Sequence, residues 1–342
     1  MRNLCALLLL VTASVVSVAA AGSGEQPETD RRYIAVFLPD EATALPLYDM
    51  TVSGAKAAAA AVPDLDVDVS SNVRRGDERF LAAAADNRVE LIIVAGGALI
   101  EDAAGAAAAH PQTPFLMVDG AGAGPANLAG ILINRREQAF LAGYIAGLRL
   151  QASPAGRGES SRTAGLLIET GLRQSEQVVR PAFLLGLKAA GDENAMRTER
   201  MPLGSPAGVV RSRVEDFSDA DIPVMLSSVY TNSGTVVQAV RESGIDALWL
   251  DTDSADGAGS QTLAAVPVDI EALVERTVMR ILESGPRDVG TIRTGFAEGT
   301  LRLETDFDRF ATVFSESEQA RIRRMADRLA SGDLVLRMPA PF

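Results

Sequence analysis

Between Val118 and Gly191 the chain joins a strand ending in Asp119, a glycine-notched apolar helix, a second strand and a second apolar helix; no other stretch restricts the fold as much. Residues Glu137 to Gly147 read EQAFLAGYIAG, apolar on nearly every side, which suits a helix buried against a sheet and not one facing water. Gly143 and Gly147 stand one turn apart. Glycine costs about 1 kcal/mol relative to alanine inside a helix, so two on one face suggest that another backbone comes close there. Ordinary helix-on-sheet packing is the other reading, and the helix taken alone favours it.

The same alternation runs along the chain from Tyr33, short β-rich runs giving way to Ala-rich helical stretches, the mark of a parallel α/β sheet. Strands are expected at Tyr33–Leu38, Leu65–Ser70, Leu91–Val94 and Phe115–Val118, with helices at about Tyr48–Ala61, Gly76–Asn87 and Leu99–Ala109. A second series follows Ile131–Asn134: helix 136–150, strand 164–168, helix 175–190, an extended piece near 197–203, strand 223–229 and helix 234–243. Ala247–Leu250 is a further buried strand, followed by a helix from about Asp269 to Ser284. Gln151–Arg162, polar and rich in Ser and Gly, reads as an exposed loop. The two halves share this order but no residue-level period, which argues against a solenoid.

With 342 residues, 47% of them hydrophobic, the chain has apolar material for two cores. Residues 1–21 read as a secretory signal: Arg2, an apolar run from Leu4 to Val18, and Ala19-Ala20-Ala21 before Gly22. That run is about 15 residues, short of the roughly 20 needed for a membrane-spanning helix, so cleavage is expected and not anchoring. Residues 22–32, rich in Gly, Glu, Pro and Asp, read as a short flexible leader. Cys5, the sole cysteine, falls inside the signal, which leaves the mature chain without disulfides or thiolate chemistry. The formal charge of −13, or −14 once Arg2 is lost, argues against a nucleic-acid partner.

Phe115-Leu116-Met117-Val118-Asp119, Asn127-Leu128, Glu137 and Leu141-Ala142-Gly143-Tyr144, continuing through Ala164–Ile168 and Phe183–Leu187, form an ordered set of motifs. The set resembles the basic membrane protein, or PnrA-like, family of periplasmic substrate-binding proteins. The likeness returns from Gly290 to Leu303 and from Ile322 to Pro339, where Leu329-Ala330-Ser331-Gly332 precedes a short expected strand. The resemblance implies a two-lobed type I periplasmic-binding fold, each lobe a mainly parallel sheet flanked by helices. It further implies that strand 247–250 crosses back into the first lobe, so that 33–134 plus 247–285 form lobe one and 135–246 plus 286–342 form lobe two. Many relatives carry lipid on a cysteine after the apolar run; Cys5 precedes most of that run, so a soluble periplasmic or secreted protein is expected.

Ligands of open α/β sheets sit beyond the carboxyl ends of strands. Applied here, that rule selects Asp40, Gly96, Asp119, Glu169, Tyr230, Asn232, Asp251 and Asp253 as ligand-binding candidates. Cleft carboxylates accept hydrogen bonds from sugar hydroxyls or base amino groups; the competing reading is that loop aspartates cap the next turn or helix. Family members that bind purine nucleosides hold the base between aromatic rings, with one Asp on the base and an Asp and a Lys on the ribose. Asp119 and Asp251 resemble those two aspartates. The family's early Ser-Phe-Asn-Asp reads Pro46-Leu47-Tyr48-Asp49, which adds Tyr48 and Asp49 to the candidates, while its ribose lysine falls near Pro267 and its second-lobe aromatic motif is missing around Gly204–Gly208. Tyr48, Tyr230 and Trp249 are candidate replacement rings, Trp249 reading better as core.

Enzymatic and metal signatures fail. Gly120-Ala121-Gly122-Ala123-Gly124-Pro125 lacks the third glycine of a dinucleotide loop, and Asp251–Gly257 imitates a calcium loop but has Thr262 where the closing Glu belongs. His110, the sole histidine, reads as a helix-end residue. No cofactor is expected. The expected function is the solute-binding component of an ABC-type uptake system, which captures a small polar ligand, a nucleoside-like one being the finer expectation, and presents it to a membrane permease. The alternatives are a sensor or protein-interaction subunit with a degenerate cleft and, with least support, a hydrolase using a carboxylate pair.

Overall fold

The structure, a computed structural model, describes residues 31–39, 46–96, 99–122, 124–152, 162–170, 175–229 and 232–336. The expected signal segment, most of the leader and most of the 151–162 loop lie outside the described residues. Eleven strands form two wholly parallel sheets among the described residues. The first contains β1 (Arg32–Pro39), β2 (Leu65–Val73), β3 (Val89–Ala95), β4 (Phe115–Val118), β5 (Leu128–Ile133) and β11 (Thr291–Thr294), in the order β11-β5-β4-β3-β1-β2. The second contains β6 (Thr163–Thr170), β7 (Ala195–Pro202), β8 (Val224–Ser228), β9 (Asp246–Trp249) and β10 (Thr262–Ala265), in the order β10-β9-β8-β6-β7.

Helices cover the faces, as the unbroken apolar runs of the central strands require: β3 and β4 are almost wholly buried because both of their faces are packed. The helices are α1 (Pro46–Ala60), α2 (Arg79–Ala85), α3 (Ile100–Ala109), α4 (Arg135–Gln151), α5 (Arg180–Ala190), α6 (Ala207–Ser218), α7 (Ser233–Ser243), α8 (Thr252–Ala258), α9 (Glu271–Ser284), α10 (Asp308–Val313) and α11 (Glu316–Ala330). A π-helical turn, Ser175–Val179, leads into α5. The expected α/β class therefore holds. Helix α6 escaped the periodicity reading, although Val210, Val214 and Phe217 mark its buried face.

Strand pairing differs from the expected lobe division at two places. Ala247–Leu250 was expected to cross back to the first lobe, yet β9 pairs with β8 and β10 in the second sheet. The connection through α7 is short, and a short right-handed crossover returns the chain beside the strand it left. Conversely, β11 was expected in the second lobe and pairs instead with β5 in the first sheet, Thr291 opposite Gly130 through Thr294 opposite Ile133. Without it the buried strand β5 would leave backbone groups unpaired. Helix α9 follows the first sheet too, its Val274 lying where a side chain on Gly54 of α1 would stand 2.8 Å away.

Helix α4 lies over the second sheet and crosses α5 closely. A Cβ added to Gly143 would stand 2.9 Å from the carbonyl carbon of Phe183, and one added to Gly186 2.7 Å from the amide nitrogen of Tyr144. Both readings of the glycine-notched helix thus apply to one element, which packs on a sheet and admits another backbone. At the far end of α4, Arg149 Nε lies 2.6 Å from Asp246 Oδ2, while Arg309 Nε of α10 lies 2.6 Å from Asp246 Oδ1. Asp246 is 1% exposed, so this triad pins the returning C-terminal segment to the second lobe.

Three segments cross between the sheets, each leaving the carboxyl end of a strand: β5 into α4, β10 towards α9, and β11 towards α10. The second and third pair with each other as antiparallel bridges, Ala265 with Glu304 and Val268 with Leu301. The carboxyl edges of both sheets are thereby held towards a common hinge.

Candidate functional site

In a doubly wound sheet the crevice opens where neighbouring strands send their connections to opposite faces. Strand order puts that point between β1 and β3 in the first sheet and between β6 and β8 in the second.

At the first point, Gly96 follows β3 with φ +88°, a conformation that glycine adopts without steric cost. Tyr48, buried in the first turn of α1, fills the space beside it: a Cβ at position 96 would stand 2.5 Å from the Tyr48 hydroxyl. The two residues are therefore matched, glycine making room for the ring. Asp49 is exposed. Asp40, after β1, lies outside the described residues.

At the second point, Glu169, the last residue but one of β6, is completely buried, and Ser228 ends β8 at 1% exposure. Tyr230 lies outside the described residues. Asn232 opens α7, and its Nδ2 donates to the Ser205 carbonyl at 2.9 Å, while Ser205 Oγ donates to the Pro202 carbonyl at 2.6 Å. These bonds tie the segment after β7 to the start of α7. Ser175, at the head of the π-helical turn, has a buried hydroxyl with no hydrogen-bond partner among the described residues.

Asp251 follows β9 as the N-cap of α8, its Oδ1 accepting from the Ser254 amide at 2.7 Å. Burial pushes this carboxyl above the ordinary Asp range, and the Ser254 N–H works in the opposite direction. The geometry is the capping arrangement. Asp253 is exposed in the next turn.

Asp119 is the most constrained candidate. It is 5% exposed and sits at φ +60°, in the left-handed region that Asp enters more readily than most residues but still at a cost of about 1–2 kcal/mol. Its Oδ2 lies 3.2 Å from Arg135 Nη2, at the start of α4. Arg135 Nη1 donates to Gln138 Oε1 at 3.2 Å, and Gln138 Nε2 donates to the carbonyls of Leu250, at 3.0 Å, and Val266, at 2.5 Å. One line of polar contacts thus runs from the carboxyl edge of the first sheet to the carboxyl edge of the second and ends beside Asp251. Glu137, between Arg135 and Gln138 in the same turn, accepts from the Phe296 amide at 3.0 Å, and burial pushes its carboxyl up.

Arg135 and Gln138 were not among the candidates from sequence. Their signal is there: four polar residues, Arg135 to Gln138, head the helix directly before the apolar stretch from Ala139 to Leu148, and Arg135 and Gln138 stand one turn apart among them. Trp249 packs with Leu167, Phe217 and Met225 in the second-lobe core, in keeping with the core reading. His110 ends α3, and its backbone carbonyl accepts from Asn127. Among the described residues, no helix is long and apolar enough to cross a membrane, and no group of three or more His, Cys, Asp or Glu side chains is placed to hold a metal.

The family model for "ABC transporter substrate-binding protein PnrA-like" matches residues 32–329. Among solved structures, the chain is similar to the "ABC transporter system solute-binding proteins" of Aeropyrum pernix K1, with TM-score 0.73 and 15% identity over 90% of this chain and 94% of that one. It is similar to a protein described as a transcriptional activator of the comK gene from Bacillus halodurans, with TM-score 0.69 and 16% identity over 89% and 100% of the two chains. A solute-binding protein from Conexibacter woesei DSM 14684 gives TM-score 0.62 and 16% identity over 91% and 99%. At these identities the structural likeness establishes the fold alone.

Proposed function

We propose that this chain, which belongs to the PnrA-like family of ABC transporter substrate-binding proteins, closes its two lobes on a small polar ligand outside the cytoplasm and delivers it to a membrane permease. The observation that carries the reading is the convergence of the carboxyl edges of two parallel sheets on one hinge of three crossing segments, with buried Asp119 and Glu169 and half-buried Asp251 at the strand ends. Ligand binding shifts an open–closed equilibrium only by its differential affinity for the two forms, and donors and acceptors contributed by both lobes supply that difference.

The chemistry at the strand ends favours a ligand rich in hydroxyl or amino donors. Buried carboxylates and hydroxyls, Glu169, Ser175 and Ser228 in the second lobe with Asp119 in the first, accept such groups. A nucleoside has both kinds of donor, and Tyr48 offers a ring at the first-sheet switch point; a sugar has the hydroxyls alone. Segment 1–21 serves as a removable export signal in this reading, which puts the mature protein in the periplasm or medium. Turnover is not part of the proposed role.

Titration calorimetry across nucleosides, sugars and amino acids, paired with small-angle scattering, tests the proposal. One ligand class is expected to release heat and reduce the radius of gyration. Absence of both heat and compaction across the panel would remove the transport reading and leave a protein-interaction role on the same scaffold.

A further inference from the structure

The polar line through the head of α4 joins elements that lobe closure must move relative to one another. Gln138 is fully buried, and its amide is used on both sides: the nitrogen donates to the ends of β9 and β10, and the oxygen accepts from Arg135. Arg135, itself 9% exposed, uses the other arm of its planar fork on Asp119. The same turn of helix holds the remaining crossings. The Asn134 amide donates to the Thr294 carbonyl at 2.8 Å, and Glu137 takes the Phe296 amide. All three interlobe segments therefore meet on residues 134–138.

We infer that Arg135 and Gln138 are positioning residues that transmit the state of Asp119, at the cleft edge of the first lobe, to the strand ends of the second and so set the resting angle between the lobes. The physical reason is directional. Rotation of the second lobe carries α4 and Gln138 with it, so the contact it stretches is the buried charge pair between Arg135 Nη2 and Asp119 Oδ2 at the edge of the first lobe. A ligand donor that competes for the Asp119 carboxylate weakens its hold on Arg135 and so releases α4, together with the second-lobe strand ends that Gln138 ties to it, from that edge. Apolar packing at position 138 would not hold the guanidinium at this angle. This inference rests on the lobe-closure reading above.

The test uses spin labels at Leu81→Cys on α2 and Leu185→Cys on α5, both exposed and on different lobes, in the chain lacking segment 1–21 and hence Cys5. Pulsed dipolar spectroscopy without added ligand gives the resting distance distribution. Gln138→Met, which keeps the length but removes the donors and acceptor, is expected to shift that distribution by more than about 2 Å, the scale of a domain rearrangement, or to broaden it visibly. Arg135→Lys keeps the charge beside Asp119 but lacks the fork, and it is expected to change the distribution in the same direction. A distribution unchanged in both variants, whatever their melting temperatures, would assign the two residues to packing alone and overturn the inference. The unsubstituted labelled chain titrated with inosine, adenosine and ribose supplies the separate check: no distance change and no heat would count against closure itself, whatever the variants show.

Discussion

Replacing Gly143 by alanine tests the α4–α5 crossing, because the same substitution at Gly105 has the opposite expected sign. Both glycines lie inside helices, where alanine is favoured by about 1 kcal/mol. At Gly105, in α3, an added Cβ meets nothing within 4 Å, so Gly105→Ala is expected to stabilise by up to about 1 kcal/mol. At Gly143 the Cβ would stand 2.9 Å from the Phe183 carbonyl carbon and 3.0 Å from its Cα, with the carbonyl oxygen nearer still. Carbon atoms in ordinary contact are about 3.5–4.0 Å apart, so clearing the two carbons alone needs roughly 0.6–1 Å, and the nearer oxygen makes this a minimum. The obstructing atoms are backbone, and no flexible side-chain end can yield in their place. Overpacking of this kind costs about 1–3 kcal/mol, and with rigid obstruction the upper part of that range applies. Net of helix preference, Gly143→Ala is expected to destabilise by about 1–2 kcal/mol, a contrast of roughly 2–3 kcal/mol with Gly105→Ala. Urea unfolding followed by far-UV circular dichroism reads the difference as midpoint shifts of opposite sign at constant m-value. Once the helices have parted for Gly143→Ala, a second substitution at Gly186 should cost less than it does alone, since one displacement relieves both contacts. Stabilisation by Gly143→Ala equal to that of Gly105→Ala would refute the close crossing.

Two further outcomes follow from Asp246 and Asp251. Asp246→Ala leaves Arg149 and Arg309 without their shared counter-charge and is expected to destabilise by about 3–5 kcal/mol in urea melts; Arg309→Ala, at a partner about one-third exposed, should cost much less. Asp251 has a folded-state pKa above its ordinary value, so the native chain holds more protons than the unfolded chain between the two values. Stability therefore falls as pH rises through that interval, and the loss is complete above the raised value. Asp251→Asn, which keeps a good N-cap, is expected to flatten this descent in urea midpoints measured from pH 4 to 7; an unchanged slope would assign the pH dependence to other groups.

Much of the fold was written locally. Phe115–Val118 and residues 175–190 fall where their apolar spacing puts them, because central strands and buried helices carry long uninterrupted apolar runs. Sheet membership was not local. Neither the buried run Ala247–Leu250 nor the partly exposed Thr291–Thr294 carries a local mark of its sheet, and what assigns one to each is which strand edge stands open, a matter of pairing across many residues. The site was half legible for the same reason. Strand ends could be marked from sequence, which found Gly96, Asp119, Glu169 and Asp251. That Asp119 meets an arginine from the next crossing, or that Asp251 caps α8, depends on where those crossings go.

The late arrival of β11 has a consequence for how such a chain matures. Emerging from its N-terminus, it can lay down β1 to β5 early, but the outer edge of β5 stays uncovered until residues 291–294 appear, after the whole second sheet has been made. Neither half is contiguous, so no truncation after the first 134 residues yields a finished unit. A half-made molecule exposes a sticky edge, and chaperones that keep the nascent polypeptide apart from its neighbours must stay engaged until most of its length is available.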